Sequence, residues 1–522
     1  MVPIPPLDRL GNLRLVINEN LRVQRGGADP VPYIDVGSVL NDIQARQNHV
    51  VFARRGCGKT LLLHHSNRIL DPSVKSVYLN CEDFKRHSFP NVLIEILDAL
   101  FSELQNHLTG WFGRKKRSRD LIAGIRTDLG SLRKRADKQE QNVRESTASE
   151  KRSSMKGEAA VSSVPSSLRA GVGVSEKMKA ETERTYRIFD DKIRELDTKL
   201  PQLKSQLRTF FDLSTNVKAV FLQIDDFYHL SRVDQPLVMD YIHRLCKDLP
   251  LYFKIATLKH ATTLFADREG QPIGAQERHD YQPINTDFTF NDFLKTRNQN
   301  QRILHEFGRL SGMEPREVDA LFKGKGFDRL VLAGGGVPRD CLSLFLEVLE
   351  TVQSAGGDGQ IGKDEIRILS RSNFERRIEE LKQDSEGGDQ DTLIRGIYVL
   401  RQFCIDRKTS VFLVSEQMMQ QEDQIRSLIY RLLDYRIVHS AGLALTHKSQ
   451  PGTFQAFAID IGCYAHMRKL HGRFAEIDLA DVVAKEKMRS APVLDAKLFD
   501  DLWKRAPADA EAKLRQEDED DA

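Results

Sequence analysis

The sequence predicts an α/β fold in which a parallel β-sheet is covered by helices on both faces. Strands and helices alternate along the chain, and this order favours parallel pairing because each helical crossover returns the chain to the same edge of the sheet. At 522 residues the chain is also too long for one ordinary core, so about three domains are expected. The four apolar segments with strand character lie at residues 49–53, 76–84, 218–227 and 251–258.

The first predicted strand leads into a loop with the pattern of a phosphate-binding loop. The segment VVFARRGCGKTLLLHH, residues 50–65, joins this strand to a leucine-rich helix. Glycines in such a loop let backbone amides approach phosphates, while the lysine reaches the β- and γ-phosphates and the threonine holds Mg²⁺. Ala53 stands where the usual pattern has glycine, and we expect its methyl group to be tolerated because it lies at the strand end. The predicted nucleotide-binding residues are Arg54, Arg55, Gly56, Cys57, Gly58, Lys59, Thr60 and Leu61.

Two aspartates end the third predicted strand, in the segment KAVFLQIDDF at residues 218–227. In a phosphoryl-transfer site one carboxylate holds the metal ion and its neighbour polarises the attacking water. We therefore assign Asp225, together with Thr60, to Mg²⁺, and Asp226 to the water. Many related hydrolases have Glu at the second place, so the shorter Asp226 favours slow hydrolysis. The sequence predicts a site for ATP or GTP with Mg²⁺, and ATP is the expected cofactor.

Two more segments indicate the class of nucleotide-binding protein. Thr257 ends the fourth predicted strand, and GGGVPRD at residues 334–340 breaks one helix and opens another, with Arg339 in its first turn. With these features the chain resembles the AAA+ superfamily, in which Thr257 takes the sensor-1 place and Arg339 the sensor-2 place of a helical lid. The order of its segments resembles the initiator-type, origin-recognition branch of that superfamily, including its bacterial members. The resemblance covers residues 30–110, 213–350 and 391–475.

This resemblance implies an ATPase that hydrolyses ATP with Mg²⁺, forms a homo-oligomer through nucleotide at subunit boundaries, and acts on double-stranded DNA or a DNA-bound partner. An AAA+ ring also implies an arginine given to the γ-phosphate by the neighbouring subunit. Arg268 and Arg278 lie in the right stretch, and we prefer Arg278. The alternative for both arginines is that they are ordinary loop residues with no contact to a nucleotide. For Arg339 the alternative is an arginine at a helix start that pairs with a surface carboxylate.

A second resemblance leaves a different function open. The GVP triplet at residues 336–338 resembles the lid motif of the STAND switch ATPases, which often have paired aspartates. It implies a signalling switch that oligomerises on sensing a trigger and activates a separate effector protein. The resemblance to bacterial ATPases of this build also implies antiphage defence as a setting for the AAA+ function, beside replication. STAND proteins usually continue into long sensor repeats, and the remaining sequence shows none. Arg339 directly after the proline favours the AAA+ interpretation.

Residues 111–212 are predicted to be an insertion between the second helix and the third strand. The insertion is basic, with 24 Lys and Arg against 14 Asp and Glu between residues 111 and 210. Its apolar residues recur at spacings of three and four on two arms, which is typical of an antiparallel coiled-coil hairpin, and Pro201 should kink the second arm or start a fresh helix. Contact with nucleic acid, contact between subunits and a solvated spacer all remain open. The apolar positions are Ile122, Ile125, Leu129, Leu132 and Ala136 on the first arm, and Phe189, Ile193, Leu196, Leu200, Leu203 and Leu207 on the second.

The remaining sequence divides into further predicted units. Residues 391–475 read as a helix, a helical pair and two strands around a Pro-Gly turn, which is the order of a winged-helix domain. Arg426 and Arg431 on the second helix of the pair, with Lys448 in the wing, are candidates to contact DNA phosphates or a docked protein, and neither use is favoured over the other. The other units are an N-terminal lead-in (1–49), the ATPase core (50–110 and 213–290), a helical lid (291–380) and a helical, acidic tail (476–522).

Composition indicates the cellular setting. No apolar run approaches the roughly 20 residues of a membrane span, and the first residues lack the features of a secretory signal. Six cysteines are scattered without disulfide or metal-binding spacing. We therefore expect a protein of the reducing cytoplasm that has no membrane partner.

Overall fold

The computed structural model describes residues 7–22, 31–84, 87, 89–106, 116–117, 119–133, 193–214, 216–268, 270–354, 359–384, 387–465, 467, 474–481 and 483–520. Its central element is a five-stranded, all-parallel sheet with the strand order β2-β3-β4-β1-β7. The predicted α/β class with a parallel sheet is therefore confirmed. The strands are β1 (His49–Phe52), β2 (Val74–Asn80), β3 (Ala219–Asp225), β4 (Leu251–Thr257), β5 (Phe265–Arg268), β6 (Gln271–Gly274) and β7 (Gln282–Asn285), of which β5 and β6 form a separate antiparallel hairpin.

The register of the sheet aligns the carboxyl ends of the strands that carry the predicted site. Phe52 lies opposite Thr257 on one side and Asn285 on the other, and Asn80 lies opposite Asp225. Every residue of β3 is buried, as expected of a central strand whose two faces are both covered. One edge of the sheet therefore collects the phosphate-binding loop and the paired aspartates.

The helices before the insertion are α1 (Leu7–Asn20), α2 (Val39–Gln44), α3 (Lys59–Arg68) and α4 (Asn91–Asn106). Helix α2 lies just before the first strand. Helix α1 was not predicted, and it packs through Leu10, Leu13 and Ile17 into the hydrophobic cluster of the lid. The N-terminal lead-in thus contacts two parts of the molecule, because α1 packs on the lid and α2 packs beside the sheet.

The base of the insertion belongs to the core of the sheet domain. Residues 119–133 (α5) and 193–213 (α6) are helical. Their predicted apolar positions pack in one hydrophobic cluster with α4 and with α7 (Gln235–Cys246). Polar contacts support this packing, because the Tyr241 hydroxyl donates to the Leu196 carbonyl at 2.9 Å and Arg244 pairs with Asp197 at 2.7 Å.

Two other predictions about the insertion have different outcomes. Helix α6 runs through Pro201 without interruption, so a fresh helix does not start there, and the alternative of a kink stays a prediction. The predicted tip of the hairpin, with Ala136 and Phe189, lies outside the described residues. The coiled-coil pairing of the two arms stays a prediction.

Because α6 packs against the sheet domain, we expect truncation of its inner face to destabilise the whole protein. Leu207 is fully buried, whereas Leu121 on α5 leaves 46% of its surface exposed. Leu207→Ala should lower the free energy of unfolding by about 2–5 kcal/mol, the usual cost of a buried Leu-to-Ala change. Leu121→Ala is the matched control and should change it by less than about 1 kcal/mol. Urea denaturation measures both, and equal effects would show that the hairpin base lies outside the core.

The segment predicted to be a helical lid, residues 291–380, contains helices in its described parts, and its role as a lid stays a prediction. These helices are α8 (Phe293–Leu310), α9 (Pro315–Asp319), α10 (Gly326–Ala333), α11 (Pro338–Ser354) and α12 (Lys363–Asp384). Between α10 and α11 the chain turns through the glycines of GGGVPRD, as the sequence predicted. Gly335 and Gly336 have φ angles of +64° and +72°, which favour glycine. A Cβ at Gly334 would lie 2.3 Å from the Cys341 sulfur, so this turn needs small residues for packing as well.

The C-terminal region contains the predicted order of a helix, a helical pair and two strands. These elements are α13 (Gly387–Asp406), β8 (Val411–Ser415), α14 (Glu416–Gln421), α15 (Asp423–Asp434), β9 (Val438–Thr446) and β10 (Thr453–Ile459). Strand β8 was not predicted, and it completes an antiparallel sheet of order β8-β10-β9. The tail adds α16 (Ala484–Met488), α17 (Ala496–Arg505) and α18 (Ala510–Asp520). Lid and C-terminal region share one continuous hydrophobic cluster.

All six cysteines are buried free thiols. Within the described parts of the chain, no helix combines the length and apolar character needed to cross a membrane.

Candidate nucleotide-binding site

The loop between β1 and α3 has the backbone geometry of a phosphate cradle. Gly56 and Gly58 have φ angles of +81° and +82°, a region that residues with a side chain rarely adopt. A Cβ at Gly56 would lie 2.8 Å from the Cβ of Arg339, so the lid approaches too closely for any other residue. Gly58 caps α3, whose ten residues direct the positive end of their dipole at the loop.

Lys59 and Ala53 complete this loop. The Lys59 side chain is buried, and its ammonium group donates to the carbonyls of Ala53 at 3.0 Å and Arg54 at 3.3 Å. Ala53 is buried with Cys57 and Val337 in a small apolar cluster. The methyl group of Ala53 therefore packs against Val337 of the lid, which is consistent with the expectation that this methyl group is tolerated.

The residues predicted to hold Mg²⁺ lie together. The Thr60 hydroxyl donates to Asp225 Oδ2 at 2.6 Å, and the Tyr78 hydroxyl donates to the same oxygen at 2.9 Å. Asp225 is fully buried, and burial, followed by the nearby charge of Asp226, raises its pKa above the ordinary value. A divalent cation at this point would offset both effects. Tyr78 was missed by the sequence analysis because a tyrosine inside an apolar strand looks like a packing residue.

Asp226 occupies a strained position directly after β3. Its φ angle is +51°, and its amide donates to Asp225 Oδ1 at 2.9 Å. Asn80, at the end of β2, donates to Asp226 Oδ2 at 3.5 Å. The carboxylate is only partly buried, as a group that orients water must be. Asn80 was also missed by the sequence analysis, since only the register of β2 against β3 brings it here.

Arg54 is engaged by a carboxylate at the end of the sheet and by the lid. Its amide donates to Asp287 Oδ2 at 3.1 Å, and its guanidinium donates to the two oxygens of the same carboxylate at 2.7 and 2.8 Å. A further donation reaches the Gly335 carbonyl at 2.9 Å. The amide and the side chain of Arg54 are both engaged by Asp287 and the lid, and its predicted contact with a nucleotide stays a prediction. Arg54 ties the loop to the end of the sheet and to the lid.

The other predicted loop residues lie around the cradle. Arg55 donates to the Tyr228 hydroxyl from Nε at 2.9 Å and from Nη2 at 2.7 Å. The Cys57 thiol lies 3.6 Å from Asp287 Oδ1, and burial raises its pKa. Leu61 packs with the small cluster that contains Tyr33, whose ring lies 3.6 Å from a Cβ built on Gly58.

Both predicted sensor residues lie at the loop. Thr257 is fully buried, its carbonyl accepts from the Ala53 amide at 3.3 Å, and its hydroxyl lies 2.6 Å from that of Thr262. The Arg339 amide donates to the Gly56 carbonyl at 3.3 Å. The Arg339 side chain pairs with Glu380 of α12 at 3.6 Å and stays partly exposed. Arg339 thus forms the carboxylate pair of the alternative interpretation, while its backbone contacts the loop.

Arg278 lies away from the loop of its own chain. Its side chain is 81% exposed, its φ angle is +66°, and its ion pair with the adjacent Glu277 is loose at 3.9 Å. The side chain of Arg268, the second candidate, lies outside the described residues. The exposure of Arg278 fits a contact with another subunit, and the role itself stays a prediction.

The three basic residues predicted to contact DNA or a partner are each paired within the chain. Arg431 forms a two-pronged ion pair with Asp389 of α13. Arg426 donates to the Met419 carbonyl at 3.0 Å and pairs with Asp423 of its own helix. Lys448 pairs with Glu486 of α16 at 3.0 Å. They therefore do not form one open basic surface.

Helix α15, which carries Arg426 and Arg431, also packs against the sheet domain. Tyr430 stacks on His260 with ring centroids 4.3 Å apart, and Asp434 Oδ2 accepts from the His260 amide at 2.9 Å. Burial raises the pKa of Asp434 to about 7. The loop after β4 that carries Thr262 is thereby joined to the C-terminal domain.

A buried charge cluster joins the loop to the lid and the C-terminal domain. Arg436 donates to Asp340 Oδ1 at 3.0 Å and to the Arg55 carbonyl at 3.4 Å. Asp340 also pairs with Arg377 at 3.1 Å. His439 lies 3.4 Å from the Arg54 guanidinium, and burial lowers its pKa to about 4. No local motif marks these residues, so the sequence analysis missed them.

Comparison with known proteins gives distant structural likenesses. No family model matches the chain, and no curated protein matches it significantly. The structure of Drosophila ORC bound to DNA is 12% identical, with a TM-score of 0.33 over 89% of this chain and 94% of that one. A Walker-type ATPase of Pyrococcus abyssi is 10% identical, with a TM-score of 0.35 over 89% of this chain and 98% of that one. At these values neither likeness establishes a family or a function.

Proposed function

We propose that the chain is an AAA+-type ATPase of the initiator-like kind that binds and hydrolyses ATP with Mg²⁺. The observation that carries the proposal is the contact between Thr60 and Asp225 at 2.6 Å below the glycine loop, with Arg339 of the lid placed on Gly56. Strand, loop, helix and lid hold these residues close together, which supports a site for MgATP. The left-handed glycines Gly56 and Gly58 fit this ligand because they leave room for phosphates beside the backbone amides. The buried Asp225 fits it because a cation beside phosphates would compensate the desolvated carboxylate.

Each residue has a stated role in this proposal. The amides after Arg54 and the Lys59 ammonium would hold the phosphates, and Thr60 with Asp225 would hold Mg²⁺. The metal ion would neutralise charge on the phosphates. Asp226 would orient the attacking water and accept its proton. Arg278 would reach the nucleotide of a neighbouring subunit in a homo-oligomer, and double-stranded DNA or a DNA-bound protein would be the target.

A second candidate function is a STAND-like switch that activates a separate effector protein. The observation that favours it is the burial of Arg436 and His439 against the phosphate-binding loop. A C-terminal domain held in this way can respond to the nucleotide state without binding DNA. The pairing of Arg426, Arg431 and Lys448 within the chain also fits this candidate, because a switch of this kind does not need these residues to bind DNA.

ATP turnover by the purified protein tests the proposed function. Asp226→Asn should lower turnover by about 100-fold or more, the usual contribution of a positioned general base, while MgATP still binds. Asp248→Asn is the matched control, because Asp248 is an exposed aspartate that also has a left-handed backbone, with φ +65°. Equal turnover in the two variants would contradict the role of Asp226.

Duplex DNA in the same assay separates the two functions. A rise in turnover with DNA would support action on DNA. Bound ATP with near-zero turnover, with or without DNA, would support the switch.

A further inference from the structure

Glu380 of α12 shares its carboxylate between two arginines at the candidate site. Its Oε1 lies 3.6 Å from Nη2 of Arg339, and its Oε2 accepts a hydrogen bond from Nη2 of Arg436. Arg339 belongs to the lid and touches the phosphate-binding loop, whereas Arg436 belongs to the C-terminal domain. One carboxylate therefore links the predicted γ-phosphate sensor to a domain that lies outside the ATPase core.

The two arginines are held unequally. Arg436 is 1% exposed, and it has additional acceptors in Asp340 at 3.0 Å and the Arg55 carbonyl at 3.4 Å. Arg339 has its backbone anchored on Gly56, but its side chain is 31% exposed and meets Glu380 only at ion-pair distance. Because rotation of a partly exposed side chain costs little, Arg339 is the partner that can leave Glu380.

We propose that Glu380 is a specificity-determining residue that competes with the γ-phosphate of ATP for Arg339, and so sets the ratio of ATP to ADP affinity. The inference rests on the proposed MgATP site. Binding of ATP through Arg339 requires the loss of the pair with Glu380, whereas ADP has no γ-phosphate and leaves that pair intact. The competition therefore weakens the binding of ATP and leaves the binding of ADP unchanged.

The same exchange connects the nucleotide to the C-terminal domain. When Arg339 leaves, Glu380 keeps Arg436, whose other contacts are buried. The Glu380 carboxylate then pairs only with Arg436 of the C-terminal domain. Bound ATP would thus strengthen the contact between α12 and Arg436, while bound ADP would leave it shared.

Fluorescence titration of the full chain with mant-ATP and mant-ADP, each with Mg²⁺, tests the inference. Glu380→Gln should raise the affinity for mant-ATP by about two- to five-fold, the range of a partly exposed ion pair, and leave mant-ADP unchanged. Glu379→Gln is the matched control, because this neighbouring glutamate is 56% exposed and pairs with Lys382 instead. It should change neither affinity.

Three outcomes would overturn the inference. Equal changes for both nucleotides would show a structural role for Glu380, unchanged affinities for both would show no role, and a lower ratio of ATP to ADP affinity would show that Glu380 positions Arg339 for the phosphate. Arg339→Gln probes the pair independently of Glu380. It should lower the mant-ATP affinity alone, and the added Glu380→Gln change should then have no effect on the ratio. Failure of the wild-type protein to bind mant-ATP would instead reject the proposed function.

Discussion

Lys59→Ala should lower the affinity for MgATP by about 10- to 100-fold, the value of one lost charge-assisted hydrogen bond to phosphate. The Lys59 ammonium is buried at the loop, where it donates to the carbonyls of Ala53 and Arg54. Binding of phosphates would replace these neutral acceptors by charged ones. Isothermal titration with ATP and Mg²⁺ measures the change.

Lys218→Ala is the control for this experiment. Lys218 is an exposed lysine just before β3, and the candidate site lies at the other end of that strand, after Asp225. It should leave the affinity unchanged. Thermal melting of both variants shows whether the fold is retained, since removal of the Lys59 ammonium takes one hydrogen-bond donor from the carbonyls of Ala53 and Arg54. An affinity for ATP that is the same in Lys59→Ala and in the wild type would reject the phosphate-binding loop.

Asp287→Ala should be among the most destabilising substitutions, with a loss of about 3–5 kcal/mol in the free energy of unfolding. Asp287 follows β7 and accepts from the Arg54 amide, Nε and Nη2 at 2.7–3.1 Å. Removal of its carboxylate leaves the Arg54 guanidinium, which is 7% exposed, as a buried charge. Asp267→Ala, at an exposed position of the β5–β6 hairpin, is the control and should cost less than about 1 kcal/mol.

The effect of Asp287→Ala should also depend on pH. The positive charge and hydrogen bonds of Arg54 oppose the effect of burial and hold the pKa of Asp287 below its ordinary value. Such a carboxylate contributes its full stability above the unfolded-state pKa of about 3.9, and the contribution is lost as pH falls through the lower folded-state pKa. Urea denaturation between pH 3 and pH 8 should show a constant difference from the wild type above about pH 5 that shrinks in acid. A difference independent of pH would exclude this pair as its source.

Much of the fold and the centre of the candidate site could be predicted from local sequence patterns. The apolar segments marked the strands, and the glycines with Lys59 and Thr60 marked the loop, because these features depend on neighbours in sequence. Asp225 and Asp226 were assigned for the same reason, since they end a strand that is apolar before them. Arg339 followed from the turn that opens α11.

Residues outside such patterns could not be assigned in advance. Strand β8 and helix α1 were missed, because short apolar stretches are compatible with several structures. The pairing of Arg431 with Asp389 was also not predictable, since the sequence shows a basic residue on a helix but not the acidic residue that α13 places beside it. The same is true of Lys448 and Glu486.

The sequence by itself determined a parallel α/β sheet, a glycine-containing loop with the pattern of a phosphate-binding loop, paired aspartates and a glycine turn before Arg339, because each is a local pattern with a local physical cause. Only the tertiary structure decided what surrounds this loop. It paired Arg54 with Asp287, placed Glu380 between Arg339 and Arg436, and docked α15 on the loop after β4. These contacts join residues that are tens to hundreds of positions apart, and they exist because burial requires each charge to find a partner wherever the packed chain provides one.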